Sequence, residues 1–154
     1  MNRLKHGAIT LMILGLLPGC AGERAKKPLE SRISRLVDQT AKSAKAEQKA
    51  FDELESLGDQ AVPYLIAHLG DMRPLVAREI SFENKASDAF EGVRHYGPST
   101  VHDALAAILN QITGQNFVFV YNGATLQERE ENGRRWVEWC RSTYPDQVEI
   151  CNGK

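Results

Sequence analysis

The densest group of side chains with chemical potential lies between residues 88 and 102. Its members are Asp88, Glu91, Arg94, His95 and His102. A helix is expected over residues 87–96, and on it Asp88, Glu91 and His95 are spaced i, i+3 and i+7, which places them on one face. Two carboxylates and an imidazole can bind a divalent metal or exchange protons, and His102 would complete the site if the intervening turn folds back.

The same spacing also occurs on ordinary solvent-exposed helices, where Arg94 and His95 would simply pair with nearby acids. The chain has no GxSxG, no glycine-rich phosphate loop, no HExxH and no CxxC motif. We therefore favour a protein without catalytic residues, metal or cofactor. The alternative is a metal-dependent or acid/base enzyme centred on Glu91, His95 and His102.

A second polar group consists of amides and a hydroxyl next to aromatic residues. Its members are Asn110, Gln111, Thr113, Gln115 and Asn116, followed by Phe117 and Tyr121. Amides beside aromatic rings suit a carbohydrate, through paired hydrogen bonds and ring stacking. The favoured interpretation is helix-end and turn chemistry, for which Asn and Thr are common residues.

The first twenty residues have the pattern of an export signal. Arg3 and Lys5 precede a mainly apolar stretch over 7–17, which is too short to cross a bilayer comfortably. The LPGC sequence that ends at Cys20 resembles the lipobox of bacterial lipoproteins. This resemblance implies that residues 1–19 are a signal peptide and that Cys20 carries lipid, palmitate among the acyl chains. The alternative is an ordinary signal peptide with an incidental cysteine.

The resemblance also predicts where the protein resides. Ala21 follows the cysteine, whereas an aspartate there resembles an inner-membrane retention signal. We therefore expect anchoring to the outer membrane, with the domain facing the periplasm, and the inner membrane as the less favoured alternative. Residues 20–30 would form the lipidated cysteine and a tether, and residues 31–154 a single domain.

Charge is unevenly distributed along the 154 residues, although the formal net charge is only −1. Residues 21–50 contain eight Lys and Arg against four acids, whereas residues 51–154 contain nine against sixteen. The overall balance gives no reason to expect nucleic-acid binding. A basic stretch beside a lipid anchor can rest on anionic headgroups, and a solvated helix surface is an equally weighted alternative.

Two cysteines remain once Cys20 is assigned to lipid. Cys140 and Cys151 form an even pair in an oxidising compartment, which predicts a disulfide between them. A metal site would need more ligands than two thiols, and the tail contains no histidine.

Apolar periodicity predicts a mostly α-helical fold with a small β element. Helices are expected over 33–57, as one helix or two with a break near Ser43, over 62–69, over 101–112, and from Thr125 towards Cys140. The last begins at a Thr125–Glu128 capping box, and Pro28 suits the first turn of the first helix. Short strands are expected near 79–83 and 117–121, where polar and apolar residues alternate or aromatic and β-branched residues cluster.

Two further resemblances bear on the fold. The run ELESLGDQAVPYLIAHLGD, residues 53–71, resembles the helix pair of a HEAT repeat, which implies HEAT-like helical hairpins without an activity. The segments AFEGVRHYG, DALAAILNQITGQNF and YNGAT resemble uncharacterised exported bacterial proteins with HEAT-like helices. We therefore predict an envelope-anchored binding or scaffold module whose partner is an unidentified protein or envelope component. Besides the enzyme, an immunity or inhibitor lipoprotein is the other alternative, because the acidic portion would suit a basic toxin.

Overall fold

The structure, a computed structural model, describes residues 20–77, 79–84 and 90–153, with side-chain surroundings from Pro28 onward. The described residues form the helices α1 (Cys20–Thr40), α2 (Ala44–Ser56), α3 (Val62–Ala67), α4 (Val101–Thr113), α5 (Leu126–Thr143) and α6 (Val148–Cys151), and the strands β1 (Ile80–Glu83) and β2 (Val93–Tyr96). The predicted mostly α fold with a small β element is confirmed. The predicted signal peptide, residues 1–19, lies outside the described residues.

Helices α1 and α2 pack against each other as a hairpin. Each contributes one buried stripe at helical spacing, namely Ile33, Leu36, Val37 and Thr40 on α1 and Glu47, Ala50, Phe51 and Leu54 on α2. Ser43 divides them, since its side chain caps α2 by accepting from the Ala46 N–H at 3.4 Å. Two helices rather than one therefore span this region.

Helix α1 begins earlier than the sequence predicted. Pro28 lies inside α1, which includes every described residue back to Cys20, so the assignment of this proline to a first turn was wrong. The preceding residues are rich in Ala, Glu, Lys and Arg, all good helix formers, which extends the helix towards the N-terminus. Among the described residues, no helix is long and apolar enough to cross a membrane.

Helix α4 is the centre of the fold. Its first nine residues, 101–109, are all buried, as expected for a helix surrounded by other elements. Thr100 and Asp103 form a capping box at its start, and Gly114 ends it with a left-handed φ of 69°. Helix α3 follows α2 through a short 3₁₀ turn at Gly58–Ala61 and packs on α4, α5 and α6.

The two strands form an antiparallel hairpin in which Ile80 pairs with Tyr96 and Phe82 with Arg94. Strand β1 confirms the strand predicted near 79–83. The second predicted strand was wrong, because residues 117–121 lie outside both strands and the partner of β1 is β2. The helix expected over 87–96 was also wrong for its described residues, since 90–92 form a bend before β2.

Helix α5 closes the fold. It starts at the predicted capping box, in which the Thr125 side chain accepts from the Glu128 N–H and the Glu128 carboxylate accepts from the Thr125 N–H. Trp136 is fully buried, and its ring centroid lies 4.9 Å from that of Phe117. Cys140 and Cys151 form the predicted disulfide, with Cα atoms 5.9 Å apart, which fastens α6 to α5.

Candidate functional site

The described members of the predicted polar site belong to different elements and surroundings. His95 lies on β2 with an exposed side chain, and its Nδ1 is 2.9 Å from Ser81 Oγ and 3.2 Å from Glu79 Oε1. Arg94 points to the opposite face of β2, since successive strand residues alternate. Glu91 lies in the exposed bend before the strand, and Asp88 lies outside the described residues.

His102 is buried, whereas the His95 side chain is exposed. Its Nδ1–H donates to the Leu69 carbonyl at 2.5 Å, and this bond ties the start of α4 to the residue just beyond α3. Burial lowers the pKa of His102, and the hydrogen bond to Leu69 and the charge of Asp103 only partly offset it. The ring is therefore neutral at pH 7, and the two histidines do not converge on a shared cavity.

Sequence reasoning missed a buried ion pair between α4 and α5. Asp103 is fully buried and accepts from Arg129 at two points, with Nε to Oδ1 at 2.6 Å and Nη2 to Oδ2 at 2.8 Å. Oδ2 also accepts from the N–H groups of Ser99 and Thr100. These bonds raise the pKa of Arg129. Asp103 completes the capping box with Thr100 at the start of α4, and its partner Arg129 lies on another helix, so the pair leaves no local signal in the sequence.

The amide-rich group near the end of α4 satisfies local backbone groups. Asn110 donates to the Gln115 carbonyl at 2.9 Å, and Thr113 donates to the Leu109 carbonyl at 2.7 Å. Gln111 reaches across to donate to the Glu83 carbonyl of β1. For Asn110 and Thr113 this geometry is the helix-end chemistry favoured from the sequence.

Several cations without a neighbouring counter-charge lie in a groove of about 600 Å³ between α1 and α2. We call it the basic groove, and it is lined by Arg32, Arg35, Leu36, Gln39, Lys42, Ala46, Lys49 and Glu53. Its α1 wall follows helical spacing, with Arg32, Arg35 and Gln39 at i, i+3 and i+7. Lys49 and Glu53 face them from α2. The hairpin therefore gathers the basic stretch recognised in the sequence.

The cations of the basic groove are mostly unneutralised. Glu53 is the one carboxylate in its lining, and it lies 3.8 Å from Arg32. Arg35, Lys42 and Lys49 are exposed and form no ion pair with any described residue. Guanidinium and ammonium groups without a counter-charge suit phosphate-bearing ligands, and Arg can bind phosphate at two points.

A second groove, of about 430 Å³, lies where α3, α5 and the C-terminal tail meet. Its apolar lining includes Ile66, Leu69 and Val137, and Arg129, Arg134 and Arg141 surround it. These three arginines already have partners, namely Asp103, Glu131 with Glu138, and Asn152. The second groove therefore offers less free charge than the basic groove.

Across the described ranges, no cluster of three or more His, Cys, Asp or Glu side chains is placed to hold a metal ion. Comparison of the chain with protein-family models, with curated proteins and with solved structures gave no match.

Proposed function

We propose that this protein is an envelope lipoprotein, anchored through Cys20, whose basic groove lies on anionic phospholipid headgroups while the rest of the domain acts as a binding or scaffold module. The observation that carries the proposal is the set of unneutralised cations, Arg35, Lys42 and Lys49, on and beside the helix α1 that contains Cys20. The favoured compartment is the periplasmic face of the outer membrane.

The length of α1 sets the geometry of the proposal. Arg32 follows Cys20 by twelve residues in one continuous helix, about 18 Å along its axis at about 1.5 Å per residue. A helix standing upright on the membrane would hold the groove beyond the roughly 8–10 Å over which surface charge acts at physiological salt. The proposal therefore has α1 lying along the headgroups, where each cation contributes about 1 kcal/mol.

The remaining charge distribution supports this orientation. Residues 51–154 have nine Lys and Arg against sixteen acids, so an anionic membrane repels this part of the chain. Repulsion on one side and attraction on the other turn the acidic portion towards solvent. A surface held in that orientation is available to a partner, which is the arrangement a scaffold module requires.

Vesicle co-sedimentation tests the proposal with a matched pair of variants. The chain from residue 20 onward, carrying Cys20→Ser, is mixed with vesicles of phosphatidylethanolamine and phosphatidylglycerol, or of phosphatidylcholine alone. Lys49 lines the basic groove, whereas Lys45 is an exposed lysine of the same helix outside it. We expect binding to the anionic vesicles only, and Lys49→Glu should weaken it by about tenfold or more, well beyond the effect of Lys45→Glu.

Added salt provides the second readout, since headgroup binding through exposed cations weakens as screening increases. Equal effects of Lys49→Glu and Lys45→Glu would show that only general charge matters and would contradict a role for the groove. Equal binding to phosphatidylcholine vesicles would contradict headgroup recognition altogether.

A further inference from the structure

The two outer edges of the small sheet differ in whether their outward backbone groups are hydrogen-bonded. On β1, the outward backbone groups belong to Ser81 and Glu83. The Gln48 side chain covers both groups of Ser81, donating to its carbonyl at 3.0 Å and accepting from its N–H at 3.2 Å. Gln111 donates to the Glu83 carbonyl. Side-chain amides thus take the place of a further strand, a way of protecting a sheet edge from unwanted pairing.

The register shows which groups of β2 point outward. The Asn84 N–H donates to the Gly92 carbonyl at 2.9 Å, so residues 92, 94 and 96 direct their backbone groups towards β1. The N–H and C=O groups of Val93 and His95 therefore point away from it. In the part of the chain that the structure describes, these four groups have no hydrogen-bond partner.

On the outer edge of β2, a side chain binds a backbone group just beyond the C-terminal end of the strand, at Gly97. The Gly97 N–H, the next outward donor along the chain, donates to Asn122 Oδ1 at 2.8 Å. The groups at Val93 and His95 are left open, and the Val93 side chain is 41% exposed. An open edge of this kind is a template for an added extended chain.

A row of aromatic rings runs beside the open edge. Phe82 of β1 contacts Tyr96 of β2, with ring centroids 6.1 Å apart. Tyr96 contacts Tyr121 at 5.7 Å, and Tyr121 contacts Phe119 at 5.1 Å. Phe119, the last ring, is 59% exposed. The row therefore continues past β2 and offers an apolar contact to an extended segment that pairs with β2.

We infer that the open edge of β2 is a docking site for an extended segment of another protein, which pairs with Val93 and His95 and places an acidic residue opposite Arg94. The acidic residue is expected because Arg94 is positively charged. Arg94 forms no ion pair with any described residue, and it points to the same face as Tyr96. A residue opposite Tyr96 would reach the aromatic row, so an apolar side chain belongs two positions from the acid.

A second copy of this chain is a poorer occupant. Antiparallel pairing of two β2 strands through both Val93 and His95 places Arg94 directly opposite Arg94 of the other copy. Like charges directly opposite each other destabilise a strand pair. A different chain with a carboxylate at that position replaces repulsion with a two-point ion pair. The inference goes beyond the membrane proposal and does not depend on the basic groove.

The probe is the acetylated and amidated octapeptide TVTFTEVT, which aligns its Glu with Arg94 and its Phe with Tyr96 in antiparallel register. Its matched control, TVTFTKVT, carries Lys in place of Glu. The full chain in detergent micelles is titrated with each peptide, and amide hydrogen exchange at Val93 and His95 is followed by NMR. We expect fast exchange at both amides in the free chain, slowed about tenfold or more by the first peptide.

Two variants make the result specific. Arg94→Glu should reverse the preference between the two peptides. Val93→Pro removes an outward N–H without removing a β1–β2 hydrogen bond, so it should leave the melting temperature nearly unchanged yet weaken binding by about fivefold or more. Protection of the Val93 and His95 amides before any peptide is added, or no change on addition, would overturn the inference. An unreversed preference in Arg94→Glu, or unaltered binding in Val93→Pro, would do the same.

Discussion

Arg129 and Asp103 join the first turn of α5 to the first turn of α4 through a two-point ion pair. The carboxylate is fully buried, and it also accepts from the backbone N–H groups of Ser99 and Thr100. The Arg129 side chain is only 12% exposed, so both charges are largely removed from water. A pair with this geometry has satisfied its hydrogen-bonding groups, and loss of one partner leaves the other buried without compensation.

Asp103→Ala should therefore lower the free energy of unfolding by about 3–5 kcal/mol. Urea unfolding followed by circular dichroism measures the change. The matched control is Arg135→Ala, which removes an exposed arginine of α5 paired with Glu131, and it should leave stability essentially unaltered. Similar losses in the two variants would contradict the structural role assigned to the buried pair.

Glu47 supports the segment that follows α3. It is fully buried, and its Oε2 accepts from the N–H groups of Val76 and Ala77, both at 3.1 Å. Glu47→Ala should cost about 2–4 kcal/mol, because two backbone donors lose their acceptor. Glu47→Gln keeps an oxygen for them and should cost less. Chemical denaturation of both variants checks this order, with Glu53→Ala as the half-buried control on the same helix. A Gln variant as unstable as the Ala variant would contradict the role of the Glu47 oxygen.

Local signals in the sequence predicted the helices well. Capping at Thr125 with Glu128 and the apolar stripe of α4 act within one or two turns, so their residues are adjacent in sequence. The basic stretch was recognisable from composition alone. Its gathering into a groove was not, because that depends on the break at Ser43 and on how α1 and α2 pack.

The strand pairing and the candidate site were not predictable from local sequence. Residues 117–121 have strand-like composition, but they pair with neither β1 nor β2. The carbonyl of Val118 is instead bound by the Asn132 side chain at 2.7 Å. Conversely, β2 has helix-compatible spacing, and its pairing with β1 overrides that preference. The candidate site at Glu91, His95 and His102 depended on that helix, and the structure places these three residues in a bend, on β2 and on α4.

The disulfide should contribute measurably to stability, since it closes a loop with a sequence separation of 11 between Cys140 and Cys151. On the chain-entropy estimate, a loop of this size is worth about 3 kcal/mol. Replacing both cysteines by serine should lower the melting temperature, and reductant should lower that of the wild type but not of the variant. Thiol labelling of both cysteines in denatured, unreduced protein would contradict the bond.

Stability should fall in mildly acidic solution, and His102 should account for part of the loss. Its folded pKa is lowered by burial from the ordinary value of about 6.5, so the unfolded chain binds a proton first as the pH falls. The stability held above pH about 6.5 is lost below it, until the folded pKa is reached. His68, which burial shifts in the same direction, adds to the effect.

The free energy of unfolding, measured in urea between pH 7.5 and pH 5, tests this sign. His102→Gln should show a shallower loss than the wild type, and His68→Gln should remove a further share. A wild-type slope retained in His102→Gln would contradict the assignment.

Cys20→Ser should release the protein from the membrane, because the proposed acylation site is lost. Attachment by two or more acyl chains is stable, whereas the basic groove alone supplies reversible, salt-sensitive binding. Expression in a bacterial host, followed by membrane fractionation and mass measurement, tests this. We expect the wild type in the outer-membrane fraction with the added mass of its acyl chains, and the variant either unprocessed or eluted by high salt. If the variant remained bound to the membrane at high salt and had its processed mass, lipidation at Cys20 would be contradicted. Binding of the released variant to anionic vesicles would still test the basic groove separately.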